Sequence, residues 1–257
     1  MVSNSPEAVP RTGITRAPEA AARAADSQQG MRKVRVWDLP LRLFHWLLVA
    51  CLIGSFVTIK VGGSWTDWHF RFGYAALTLI LFRILWGFVG PRYARFSSFI
   101  FSPGAVFAYL RDAAHAPRTL GHSPLGSLSV FALLAAVAVQ AGAGLFTADD
   151  IMYEGPLARL VSSAAVEQAS WLHHLNEWVI LVLVGVHIAA ILYYRVIRRQ
   201  SLVKPMIVGD KLVGPNQRGG DPAALAAADD WGVRLRALVV LAVSIGIVAG
   251  IVNWPIF

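Results

Sequence analysis

Five of the chain's seven histidines, His45, His69, His173, His174 and His187, fall within or at the ends of long apolar runs. An ionisable side chain in a membrane-spanning segment is costly, and by default it marks function. His173 and His187 are 14 residues apart. At about 100° per residue they stand about 40° short of four full turns, so both project from nearly one face, roughly 21 Å apart along the axis. His174 is about 220° from His187 and points to the opposite side. His173 is the better partner in an inward column, although the doublet leaves two ligand candidates at that point. Pairs of imidazoles from facing helices are the chemistry that holds a haem in a helix bundle. With imidazole on both axial positions the iron is closed to small ligands, which favours electron transfer over oxygen chemistry. Only one cysteine, Cys51, is present, so neither a disulfide framework nor a Cys-x-x-Cys metal site can form, and no Cys-x-x-Cys-His attaches haem covalently.

These residues need elements to hold them, and the composition shows which. Of 257 residues 56% are hydrophobic and 15% charged, well below the roughly 25% charged residues of soluble domains. Five spans are expected, over residues 39–59, 69–89, 125–146, 171–196 and 233–254. Each has about 20 residues, enough to cross a ~30 Å hydrocarbon core. The fold class is therefore all-α and polytopic, a four-helix haem-binding transmembrane bundle plus a fifth C-terminal transmembrane helix. Residues 1–33 are expected to form a disordered cytoplasmic tail, 34–205 the di-haem domain, 206–232 a polar linker that detaches the fifth span, and 233–257 that span. Segments 99–114 and 155–168 look like short amphipathic surface helices.

The net charge of +8 might suggest a nucleic-acid partner, but the placement of the basic residues excludes it. With a cytoplasmic N-terminus, segments 1–42, 91–124 and 195–236 hold seven, four and eight Lys and Arg, against Lys60, Arg71 and Arg159 outside. That is a strong positive-inside bias, giving an inner-membrane protein with its N-terminus cytoplasmic and its C-terminus periplasmic. The outer loop is acidic, with Asp149, Asp150, Glu154 and Glu167. This topology pairs the histidines by depth, His45 with His187 towards the cytoplasm and His69 with His173 outside. Arg83, 14 residues after His69, shares its inward face near the cytoplasmic pair. A buried guanidinium there needs an anion such as a haem propionate, or a bound quinone. Gly73, one turn from His69, leaves room for a porphyrin. His115 and His122 read as solvated loop residues. Glu177 is the only acid within a span, so a carboxylate proton relay has no support.

With these residues placed, the sequence resembles the bacterial cytochrome b561 family, which includes the b-type cytochrome subunits of nickel–iron hydrogenases. The resemblance covers residues 34–205. It is carried by VWDLPLRLFHW around His45, WHFRFGY then FR around His69 and Arg83, and WLHHLNEWVILVLVGVHIAA with His173 and His187. It implies a four-helix core, two non-covalent b haems, and electron exchange between the quinone pool and an outside redox partner. It also implies His45 and His187 as ligands of the cytoplasmic-side haem, and His69 and His173 as ligands of the outer one. Arg83 matches an inward arginine of the family's second helix. The His173–His174 doublet and the fifth span depart from the pattern.

The expected function is transfer of electrons across the inner membrane between quinone and a periplasmic protein, such as a c-type cytochrome or a hydrogenase. That role is a subunit's more than a stand-alone enzyme's. Two alternatives remain at this level. One is a superoxide–quinone oxidoreductase on the same scaffold, disfavoured by the acidic outer loop. The other is a haem-free anchor or a metal transporter, disfavoured by the lack of intramembrane carboxylates beside the histidines.

Overall fold

The computed structural model describes residues 32–112, 119–149, 152–213 and 225–253. His115, Asp150, Trp254 and nearly all of the expected tail lie outside them. In chain order the elements are β1 (Arg32–Arg35), α1 (Leu39–Val61), α2 (Thr66–Val89), α3 (Pro103–Arg111), α4 (Pro124–Gly144), α5 (Ser163–Val196), α6 (Val203–Val208), β2 (Asp210–Val213) and α7 (Trp231–Val252). Helices α1, α2, α4, α5 and α7 are long and apolar enough to cross a membrane. We call the end at which α1 begins the proximal end, and the opposite one distal.

Local chemistry sets where the helices start. Asp38, Ser102, Ser123, Ser162 and Asp230 each cap a helix by accepting a backbone N–H of its first turn, and Pro follows closely in α1, α3 and α4. Gly90 and Pro91 end α2. Packing joins α1 to α2, α2 to α4, α4 to α5 and α7 to α2, so α2 is the central helix. It buries Leu79, Ile80, Phe82, Arg83 and Trp86, whereas α5 buries only Asn176 over its 34 residues.

Three findings differ from the sequence-based expectations. The fifth span is not detached. Val233, Ala237, Ser244 and Val248 form one buried face of α7, which packs on α2. The segment expected to be a bare linker also has structure at both ends. Strand β2 pairs antiparallel with β1, Arg32 opposite Val213 and Arg35 opposite Asp210, so Arg32 and Lys33 lie in a strand and not in a tail. Arg35 bridges Asp210 at 2.8 Å and Asp229 at 2.9 Å, and Asp229 also accepts the Leu39 N–H at 3.0 Å. The partners of this clip are some 190 positions apart in the chain, so no local pattern announces it. Gly209 makes the join possible. Its φ of 92° is open to glycine, and a Cβ there would stand 2.8 Å from the Trp37 carbonyl. Third, residues 163–168 do not form a separate surface helix; α5 runs back continuously to Ser163.

Candidate functional site

The distal end brings His69 of α2 and His173 of α5 together, with ring centres 6.1 Å apart and planes at 80°. The Nδ1 of His69 lies 2.9 Å from the Ser55 carbonyl and 3.0 Å from its hydroxyl, both on α1. The Nδ1 of His173 lies 3.0 Å from the Gln140 carbonyl on α4. A carbonyl oxygen only accepts, so each Nδ1 carries the hydrogen and each Nε2 keeps its lone pair. Such a tether fixes the tautomer and orientation of a metal-binding imidazole and raises its basicity.

Small and polar neighbours support that pair. Gly144 makes room for His173, since a Cβ there would stand 3.1 Å from its Cε1. Gly54 lets α1 and α2 approach closely, because its Cβ would meet the Phe72 ring at 2.7 Å. Asn176, one turn beyond His173, is buried and donates to the Ala136 carbonyl and the Gln140 side chain, both at 2.8 Å. These bonds lock α5 to α4. Lys60 and Glu177 pair at 2.8 Å between α1 and α5. Sequence reasoning missed Ser55, Gln140, Asn176 and Gly144; an Asn and a Gln within apolar spans were the available signal. His174 is exposed, whereas His173 is half-buried and faces His69.

At the proximal end His45 lies six residues into α1 and His187 nine residues before the end of α5. Both are half-buried. The Nδ1 of His187 is 3.4 Å from the Ser129 hydroxyl, at the outer limit of a hydrogen bond, and the Nδ1 of His45 is buried without a partner. Arg83 is 2% exposed, and its Nη1 has no hydrogen-bond partner. Asp38 is fully buried, its Oδ1 accepting from Leu41 N at 2.9 Å and the Trp86 indole at 3.1 Å. Burial raises the affinity of Asp38 for its proton, and those two donors oppose the rise.

His122 corrects a sequence expectation. It is not a solvated loop residue, because its ring packs against Phe99 at 4.3 Å and Trp37 at 4.7 Å between ring centres. Burial, with the charges of Arg83 and Lys211, pushes it down to about 3. The two aromatic residues that enclose it come from separate segments, which is why the sequence hid them.

These residues fit haem. A metal bound by an imidazole nitrogen at about 2 Å lies about 3 Å from the ring centre, so rings 6.1 Å apart suit one metal between them. Among the described residues no group of three or more His, Cys, Asp or Glu lies together as a protein-only metal site. Two imidazoles suffice where a porphyrin supplies the other four nitrogens. A Cβ on Gly73 would meet no atom within 4 Å, leaving space beside His69. The Nη1 of Arg83 is left as a free donor, because the carboxylate of Asp38 acts on Arg83 through its charge without bonding it.

The chain is similar to proteins already known. Residues 36–209 match the sequence profile of prokaryotic cytochrome b561. A probable Ni/Fe-hydrogenase B-type cytochrome subunit of Azotobacter vinelandii is 26% identical over 232 residues, covering 74% of this chain and 95% of the relative. That of Cupriavidus necator is 28% identical, covering 72% and 90%. The probable Ni/Fe-hydrogenase 1 B-type cytochrome subunit of Escherichia coli K12 is 24% identical, covering 68% and 88%. No solved structure matches the chain significantly.

Proposed function

The chain belongs to the prokaryotic cytochrome b561 family, and from that premise we propose that it is a di-haem b-type cytochrome passing electrons across the membrane between quinone and a periplasmic redox protein. The observation that carries this reading is the facing pair His69 and His173, each tethered through Nδ1 to a backbone carbonyl. When bound, each haem supplies an iron that alternates between the ferric and ferrous states.

The residues have separate tasks. His69 and His173 would hold a haem at the distal end and His45 and His187 one at the proximal end, and two imidazoles to each iron would keep other ligands from it. His173 and His187 set the two sites roughly 21 Å apart along α5, most of the way across a ~30 Å core. Ser55 and Gln140 orient the distal imidazoles. Arg83 offers positive charge to an anionic group at the proximal end. The distribution of basic residues supports a cytoplasmic proximal end.

The hydrogenase-subunit names of the relatives support a hydrogenase as the partner protein. The acidic distal loop is weak support for a basic partner surface, because Glu154 is already paired with Arg159 at 2.8 Å. Anaerobic addition of a quinol to the detergent-purified protein, followed by absorption spectroscopy, tests quinone exchange. Reduction of haem by quinol is expected. Haem that dithionite reduces and quinol does not would contradict it.

A further inference from the structure

The proximal end carries buried groups that the ligand pairs do not use. The Arg83 guanidinium lies 4.7 Å from the centre of the Phe96 ring and 5.9 Å from that of Phe99. Phe99 packs on one side of His122 and Trp37 on another, and the Lys211 ammonium lies 5.7 Å from the Trp37 ring centre. Lys211 is occupied, donating to the carbonyls of Leu120 at 2.6 Å and Gly121 at 3.3 Å. His122 thus sits between two aromatic rings with a cation beyond each.

Three polar atoms in this cluster are buried and without a partner, the donors Nη1 of Arg83 and Nδ1 of His122 and the acceptor Oδ2 of Asp38. A guanidinium only donates. The neutral imidazole that this setting enforces carries a hydrogen on one nitrogen and can donate from Nδ1. Arg83 and Lys211 outnumber the single carboxylate of Asp38, whose Oδ1 is already committed to Leu41 and Trp86. Two unused donors in a positively charged, desolvated setting match the two oxygens of a carboxylate. Arg83 is six residues from the end of α2 and His45 six from the start of α1, so both lie at about 9 Å depth from the proximal end.

We propose that Arg83 and His122 together form a carboxylate site that takes a propionate of the haem held by His45 and His187. The inference rests on the di-haem reading above. Arg83 supplies the charge, and His122, a positioning residue, supplies a neutral second donor from a loop that the four helices do not contain. Nothing equivalent stands beside His69 and His173 among the described residues.

Two variants separate the donor from the ring. His122→Phe keeps an aromatic ring between Trp37 and Phe99 but has no donor. His122→Asn places an amide N–H where Nδ1 stood but has no ring. Potentiometric titration of both haems in each purified protein is the measurement, with His187→Ala identifying the proximal haem. His122→Phe is expected to lower the potential of the proximal haem alone, and His122→Asn to keep the wild-type value. Loss of one haem in His122→Phe with both retained in His122→Asn would support the site equally. Unmoved potentials in both variants, or the same change in both, would overturn it and assign His122 to packing. Wild-type protein with fewer than two haems would overturn the functional reading and this inference together, whereas two haems with unmoved potentials would overturn this inference alone.

Discussion

The distal and proximal histidine pairs are held in different ways. At the distal end the protein does the positioning itself: both Nδ1 atoms are tied to backbone carbonyls, at 2.9 Å and 3.0 Å, and Gly144 clears space for the His173 ring. At the proximal end His45 has no such tether and that of His187 is 3.4 Å long, while a buried cation, a buried carboxylate and an aromatic enclosure occupy the same end of the bundle. One pair is fixed by hydrogen bonds, and the other shares its end of the bundle with buried charge. Tethered imidazoles are more electron-rich and favour the ferric state, while positive charge favours the ferrous state. Both effects place the proximal potential above the distal one.

The comparison breaks most visibly at the ligands. His173→Ala is expected to remove the distal haem and spare the proximal, and His187→Ala to do the reverse, each leaving one haem per chain by pyridine haemochrome assay. Loss of both, or of neither, would contradict independent sites. Arg83→Leu comes next. It removes a positive charge that interacts with the buried carboxylate of Asp38, which lowers stability, and it lowers the proximal potential only. Thermal unfolding and redox titration read the two effects separately.

A subtler substitution acts on the distal tether. Gly144→Ala sets a methyl 3.1 Å from the His173 ring, which pushes the ring against its bond to the Gln140 carbonyl and loosens metal retention there. Haem loss to apomyoglobin should accelerate for the distal haem alone.

The pH dependence gives a smaller contrast. Burial pushes Lys211 down to about 8, so its positive charge is present below that pH and is lost as pH rises through it. Losing a positive charge disfavours the reduced state, so the proximal potential falls across this range while the distal one stays flat. His122, pushed down to about 3, stays neutral throughout and is not the source. Lys211→Met should abolish the step. Smallest of all is His174→Ala, where the exposed ring predicts unchanged haem content.

The two ends also differ in how far they could be read from sequence. Helical spacing alone put His173 and His187 on one face, because a 3.6-residue period is a property of the chain itself. The five spans were legible for the same reason, as runs of apolar residues of sufficient length. The tethers are backbone atoms of Ser55 and Gln140, and backbone carbonyls carry no sequence signature. His122 looked like any loop histidine, because its neighbours Trp37 and Phe99 reach it only once the loops close over the proximal end. The same holds for Asp229, whose ties to Arg35 and Leu39 bring the polar linker back onto the start of α1.

The most direct measurement is the haem content and ligation of the detergent-purified chain, by pyridine haemochrome assay together with electron paramagnetic resonance of the oxidised protein. Two b haems per chain, both low-spin with two imidazole ligands, are expected. One haem, or a high-spin iron with an open axial position, would contradict the pairing of His69 with His173 and of His45 with His187.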